Sequence, residues 1–211
     1  MYVESMTLEE IRREIIKDSD YINIKIESIL SDNKYRKACL KMNTTNLHYF
    51  KRVDFTNKKS GFEYHMIPST FGKRDYLKNG MKILVFVTFR WHKRTWVCIP
   101  LHNSDNLLFV APHFFDRYME RAEKIAEDRL SLITYFLSKN RILSDADYVH
   151  QDHENSLFWT MDDGIGFGTK HKDYKVMSTY VRKDMVFENQ ESYLLEGEMR
   201  IEEVRLSDKY E

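Results

Sequence analysis

The stretch MKILVFVTFRWHKRTWVCIPL, residues 81–101, decides the fold class. Its first part, Met81 to Trp91, is apolar on both faces at its centre, which predicts a strand covered on both sides. His92-Lys93-Arg94 is a short polar turn, and Thr95 to Leu101 returns as a second strand. The stretch therefore predicts an antiparallel hairpin within a β-rich segment that extends from Phe62 to Val110.

Helical patterns lie on both sides of this β-rich segment. Thr7 and Glu10 have the spacing of a capping box and open a helix, and helical spacing of apolar residues continues to about Ser31. Residues 43–61 are polar and rich in turn formers, which predicts a loop. Residues 111–139 predict one long helix, because their apolar positions fall on one stripe. This stripe contains Phe114, Tyr118, Leu132 and Phe136.

The C-terminal part returns to β-structure. Asp162-Asp163-Gly164 separates two apolar segments and predicts a tight hairpin, and Tyr174 to Arg182 predicts a further strand. This order of elements is typical of the α+β class, here a mainly antiparallel curved sheet with the long helix packed across it. We expect residues 1–60 to form a helical, partly basic N-terminal extension. Residues 61–211 would form the α+β domain with an acidic C-terminal tail, the whole being one compact unit.

Length and composition narrow the class of protein. The 211 residues are 42% apolar and 14% aromatic, enough to bury a core. The longest apolar runs are far shorter than the ~20 residues of a membrane span, and the first 30 residues lack a secretory signal pattern. Two cysteines are too few for a disulfide scaffold. The expectation is a cytoplasmic protein with no membrane partner and no cofactor.

Charge is balanced in total but not along the chain. There are 33 basic and 33 acidic residues, yet residues 31–110 carry fifteen of the basic and only five of the acidic ones. Residues 111–211 carry fourteen basic and 21 acidic side chains, and residues 184–211 are the most acidic part. A basic, aromatic-rich middle third suits RNA or another polyanion. The alternative is that the acidic tail folds back on the basic segment.

The most informative polar cluster lies in PHFFDRYMER, residues 112–121. His113, Arg117 and Arg121 are four residues apart, so on a helix they form a ridge beside the buried stripe. A histidine followed by two arginines places an acid/base group next to two guanidinium groups that bind phosphate. Alternatively, the two arginines pair with carboxylates and His113 only forms a hydrogen bond near the helix start.

A second cluster lies on the predicted strand from Tyr174 to Arg182. Ser178, Tyr180 and Arg182 would share one face of this strand, with Thr179 on the other. A hydroxyl-rich face that ends in arginine suits a phosphodiester. The same residues are equally typical of an ordinary half-exposed strand.

The order of these elements resembles the compact α+β toxin ribonucleases of the barnase/RelE-like superfold. The resemblance covers roughly Val110 to Arg182: a strand, a helix with His-x3-Arg-x3-Arg, a glycine-containing hairpin, and a strand ending Ser-Thr-Tyr-x-Arg. It implies metal-independent RNA cleavage by attack of a 2′-hydroxyl on the adjacent phosphate. His113 would be the general acid/base, and Arg117 and Arg121 would stabilise the charge on the phosphate. The implied supporting contacts are Thr179, Tyr180 and Arg182.

The leading hypothesis is therefore a metal-independent, toxin-like protein that cleaves or processes RNA. The first alternative is a non-catalytic nucleic-acid- or protein-binding accessory protein of a phage or mobile element. It would use residues 34–59 and the hairpin tip, with Arg90, Lys93 and Arg94 as candidate contacts. The second alternative is a structural interaction protein whose acidic tail and basic middle associate between subunits, with the tail as the contact to a second copy or a protein partner. No metal site is predicted, although three residues of one polar segment have ligand-type side chains: His150, Asp152 and His153.

Overall fold

The α+β class with mainly antiparallel, curved β-structure is confirmed by a computed structural model that describes residues 3, 5–100, 106–121, 126–147 and 155–210. These residues form seven α-helices and ten strands, and every strand pair whose register is described is antiparallel. Contacts divide the chain into two compact units, Met1–Leu107 and Leu108–Glu211. No helix in the described part of the chain has both the length and the apolar composition of a membrane span.

The first unit combines four helices with five strands. Strand β4 pairs with β3 and β5, and the other edge of β3 pairs with β1 and β2. Residues 43–61, predicted to be a loop, contain β1 and β2, so that prediction was wrong. The elements are α1 (Leu8–Lys17), α2 (Ser19–Leu30), α3 (Asn33–Lys41), β1 (His48–Tyr49), β2 (Val53–Thr56), β3 (Glu63–Thr70), α4 (Lys73–Asn79), β4 (Lys82–Trp91) and β5 (Arg94–Pro100).

A capping box begins α1, and a buried aspartate lies between α1 and α2. The predicted capping box is confirmed: the Glu10 backbone N–H donates to Thr7 Oγ1 at 3.3 Å, and the Thr7 N–H donates to the Glu10 carboxylate at 2.8 Å. Asp18 lies between α1 and α2, where its buried carboxylate accepts from Ser60 Oγ at 2.5 Å and from Tyr64 Oη at 2.6 Å. This carboxylate ties the helices predicted as an extension to the strands of the first unit.

The second unit contains the remaining strands in the order β6-β10-β9-β8-β7. Helix α5 packs on β10, and α7 packs on β7 and β8. Two 3₁₀ turns, Lys183–Met185 and Glu188–Gln190, precede α7. The elements are β6 (Leu107–Val110), α5 (Pro112–Arg121), α6 (Arg129–Lys139), β7 (Ser144–Asp147), β8 (Ser156–Thr160), β9 (Gly164–Lys170), β10 (Tyr174–Arg182) and α7 (Glu191–Tyr210).

The single long helix predicted over residues 111–139 is wrong, because α5 and α6 are separate helices. Asp128 has extended backbone angles, and its carboxylate accepts from the Ser131 N–H at 2.7 Å, so it starts a new helix. The apolar residues nevertheless share one core. The ring of Phe136 lies 5.1 Å from that of Phe114 and 5.0 Å from that of Tyr118. The stripe in the sequence reflects this common cluster, not a continuous helix.

Candidate functional site

The first candidate site is the ridge of basic residues on α5. His113 is exposed, and Arg117 Nε donates to His113 Nε2 at 3.4 Å. The Arg117 guanidinium also forms an ion pair with Glu120 at 2.8 Å. Arg121 points elsewhere, since its Nη1 donates to the backbone oxygen of Tyr180 at 2.5 Å and joins the end of α5 to β10. The structure thus brings two of the three predicted residues together and uses the third to hold the fold.

The residues predicted on β10 are placed differently from the expectation. A β-bulge lies between Met177 and Thr179, and it interrupts the alternation on which the predicted common face of Ser178 and Tyr180 depends. Tyr180 is fully buried, and Arg182 forms a two-pronged ion pair with Asp184 at 2.6 and 2.7 Å. Of the predicted hydroxyl-rich face, Tyr180 therefore lies in the core, whereas Arg182 lies at the surface in an ion pair.

Two buried tyrosines converge on the hairpin that carries Asp163. Tyr118 Oη donates to Asp163 Oδ2 at 2.7 Å, and Tyr180 Oη donates to the Asp163 backbone oxygen at 2.7 Å. Burial raises the pKa of both phenols, so they remain protonated donors. A Cβ at Gly164 would lie 2.3 Å from the Tyr180 ring, which explains why glycine follows Asp163. This cluster locks the hairpin to the core.

The second candidate site is the tip of the β4–β5 hairpin. His92 and Lys93 form a two-residue turn with φ of 47° and 61°. Residues other than glycine rarely adopt this left-handed conformation. Both side chains are exposed, as are those of Arg90 and Arg94. The Trp91 ring lies 4.3 Å from that of His92 and 5.1 Å from that of a second tryptophan, Trp96. Cations and aromatic rings are therefore presented together around one tight turn.

Hydrogen bonding fixes this tip to the rest of the first unit. The indole N–H of Trp91 donates to the backbone oxygen of Met6 at 2.9 Å. Trp91 pairs with Arg94 across the hairpin, directly beside the turn. The tip is thus held by the pairing of β4 with β5 and by the hydrogen bond from Trp91 to Met6.

A third cluster, which the sequence did not predict, crosses three strands of the first unit. His65 Nδ1 lies 2.8 Å from Asp54 Oδ1, and His65 Nε2 lies 2.8 Å from Thr88 Oγ1. Burial lowers the pKa of His65, although Asp54 acts to raise it. Burial acts to raise the pKa of Asp54, but hydrogen bonds from Arg52 and His65 outweigh it and lower this pKa.

This carboxylate–imidazole–hydroxyl series resembles the arrangement that activates a nucleophile in hydrolases. Thr88 is only 4% exposed, however, so its hydroxyl is not accessible to a substrate. We therefore assign the cluster to joining β2, β3 and β4. The sequence shows no local signal for it, because 34 positions separate Asp54 from Thr88 and only strand register brings them together.

The two units carry opposite net charge. The first unit has 19 basic and 12 acidic residues, whereas the second has 14 basic and 21 acidic residues. The hairpin tip therefore belongs to the basic unit, and the α5 ridge belongs to the acidic one. Long-range attraction of a polyanion favours the first over the second.

The described residues contain no group of three or more His, Cys, Asp or Glu side chains placed to hold a metal ion. His150, Asp152 and His153 lie outside the described residues. Comparison with protein-family models, curated proteins and solved structures finds no match to this chain. The resemblance to toxin ribonucleases therefore stays a prediction.

Proposed function

We propose that this protein binds single-stranded nucleic acid, with RNA as the first ligand to test, through the tip of the β4–β5 hairpin. One observation carries the proposal: exposed Arg90, Lys93 and Arg94 surround a turn in which the Trp91 and His92 rings are adjacent. Basic side chains neutralise phosphates, and aromatic rings stack on unpaired bases. This combination suits a single strand better than a duplex, whose bases are already stacked.

Rigidity of the tip supports the proposal. A hairpin held by its own ladder and by the hydrogen bond from Trp91 to Met6 loses little conformational freedom when a ligand binds.

The net positive charge of the first unit would raise the rate of encounter with a polyanion. The segment 184–211 would repel phosphates, so its partner by this proposal is protein. Both cysteines are buried and free, which suits the reducing cytoplasm.

The test is fluorescence anisotropy with a labelled single-stranded RNA of about 15 nucleotides. Lys93→Glu should weaken binding about tenfold or more, because it replaces a phosphate-binding cation with a repelling charge. Lys172→Glu is the matched control, since Lys172 is an exposed lysine in a turn of the second unit. Equal affinity of Lys93→Glu and wild type would contradict the proposal.

The second candidate function is metal-independent RNA cleavage at His113, as the resemblance implies. The exposed imidazole and the Arg117 guanidinium 3.4 Å from it favour this function. In this scheme His113 removes the proton from a 2′-hydroxyl, whose oxygen attacks the adjacent phosphorus while the bond to the 5′-oxygen breaks. The 5′-oxygen takes a proton from solvent water and leaves as a hydroxyl. Arg117 would stabilise the added negative charge. Arg121 would act only by fixing α5 to β10.

A further inference from the structure

Helix α7 has an apolar stripe on the side opposite its buried face. Its buried face contains Ile201 and also Gly197, at which a Cβ would lie 1.9 Å from Thr160 Oγ1. At 100° per residue, Leu195, Met199 and Leu206 fall within about 40° of one another and roughly opposite that face. Leu195 is 60% exposed and Met199 is 67% exposed. Such a stripe on a single helix is typical of a surface that binds a groove.

Carboxylates border this stripe. Glu196 and Glu203 lie along one side of it, and Glu202 lies between Met199 and Leu206. Glu196 pairs with Arg200, and Glu202 lies 3.6 Å from Arg205. Helix α7 as a whole has six acidic and three basic residues, so its net charge is negative. A partner for it needs an apolar floor and a basic rim.

The first unit contains a groove of this kind between α3 and α4. Its volume is about 650 Å³, and its lining combines four polar residues with the apolar residues Leu30, Leu40, Leu77 and Met81. Leu77 is 66% exposed in the single chain. Leu30 is 43% exposed, so two apolar side chains of the lining are open to solvent in the single chain.

The two helices that border the groove are strongly basic. Helices α3 and α4 together have seven basic residues and one acidic residue, Asp75. The Asp75 carboxylate is used locally, since it accepts from the Phe71 N–H at 3.0 Å and from Asn79 at 3.0 Å. Of these seven cations, Arg36 lines the groove itself.

We infer that α7 of one copy of this protein binds the α3–α4 groove of a second copy. The helix is convex and the groove is concave, and each has apolar side chains that are exposed in the single chain. The charges of the two surfaces are opposite. Leu195 and Met199, one helical turn apart, would insert between Leu77 and Leu30, while the glutamates contact the cations of α3 and α4. Charge pairs between two exposed surfaces are screened by salt, so the affinity of this contact should decrease as the salt concentration rises.

Sedimentation equilibrium of the full chain at roughly 0.1 mM tests the inference. Wild type should self-associate, and 1 M salt should weaken the association because it screens the charge pairs. L195E/M199E should lose the stripe and weaken association about 100-fold. Leu77→Glu should have a similar effect through the groove. Ile24→Glu is the matched control, since Ile24 is an exposed apolar residue on another helix, α2, outside the groove lining.

Mixing the two defective proteins is the decisive step. L195E/M199E keeps an intact groove and Leu77→Glu keeps an intact stripe, so an equimolar mixture should form a 1:1 pair that neither protein forms alone. A contact between two α7 helices would not be restored in this mixture. A monomeric wild type, association of Leu77→Glu equal to wild type, or no pair on mixing would each overturn the inference. RNA binding is a separate property and should be unchanged in L195E/M199E.

Discussion

His65 and Asp54 lie directly opposite each other on β3 and β2, with the imidazole Nδ1 2.8 Å from a carboxylate oxygen. Burial holds the pKa of His65 below its ordinary value of 6.5. The unfolded chain therefore binds more protons than the folded protein as the pH falls through 6.5 and below. The free energy of unfolding should decrease as the pH is lowered from about 7 to 5, with a further loss below pH 4 as Asp54 is protonated.

Urea unfolding at about pH 7, 6 and 5 measures this dependence. His65→Gln keeps hydrogen-bonding groups but does not titrate, so the loss of stability between pH 7 and 5 should become smaller. His171→Gln, the same change at an exposed histidine, is the matched control. An unchanged loss in His65→Gln would show that the buried imidazole is not its source.

The Asp163 cluster predicts different effects for its two tyrosines. Tyr118→Phe removes the donor to a half-buried carboxylate whose other oxygen, Oδ1, is buried and has no partner among the described residues. It should lower the free energy of unfolding by about 2–3 kcal/mol. Tyr180→Phe removes a donor to a backbone carbonyl and should cost about 1 kcal/mol. Equal effects in urea unfolding would contradict the role given to the carboxylate.

Gly197 predicts a steric limit on α7. A methyl group there would meet the Thr160 side chain on β8, so Gly197→Ala should destabilise the protein by about 1–3 kcal/mol despite the higher helix propensity of alanine. Ser192→Ala, at an exposed position of the same helix, should be neutral or stabilising by a few tenths of a kcal/mol. Chemical denaturation of both variants measures the difference. A stabilising Gly197→Ala would mean that α7 does not lie this close to β8.

The cleavage hypothesis predicts activity in the presence of EDTA. Purified protein should cleave RNA to products with 2′,3′-cyclic phosphate ends, and His113→Ala should reduce the rate by about 100-fold or more. Arg117→Ala should reduce it by about tenfold or more, because a charged donor to the phosphate is lost. Lys172→Ala controls for a lost surface charge. Absence of EDTA-resistant cleavage by wild type would exclude this function and leave binding alone.

The parts of the fold with strong local signals were predictable from sequence. The capping box of Thr7 and Glu10, the hairpin turn at His92 and Lys93, and the Asp163-Gly164 turn all depend on residues near one another in the chain. Helix α6 was missed as a separate element, because the apolar spacing of α5 continues in phase through Phe136. The Asp128 cap that separates the two helices is one residue in a polar segment.

The candidate sites were less predictable, because they depend on tertiary contacts. The spacing of His113 and Arg117 placed them together, but nothing local shows that the Arg121 guanidinium binds a carbonyl of β10. The bulge near Ser178 and the burial of Tyr180 likewise follow from packing. The His65 cluster needs the register of three strands, which alternation within one strand does not supply.

The function that we propose requires the hairpin tip to bind single-stranded RNA through charge and stacking. The most direct test is the salt dependence of RNA affinity for wild type and Lys93→Ala. We predict a linear decrease of log K with log salt, and a slope that is smaller in Lys93→Ala by about 0.7, the value for one phosphate contact on a single strand. Absence of binding, or the same slope in both proteins, would contradict the account.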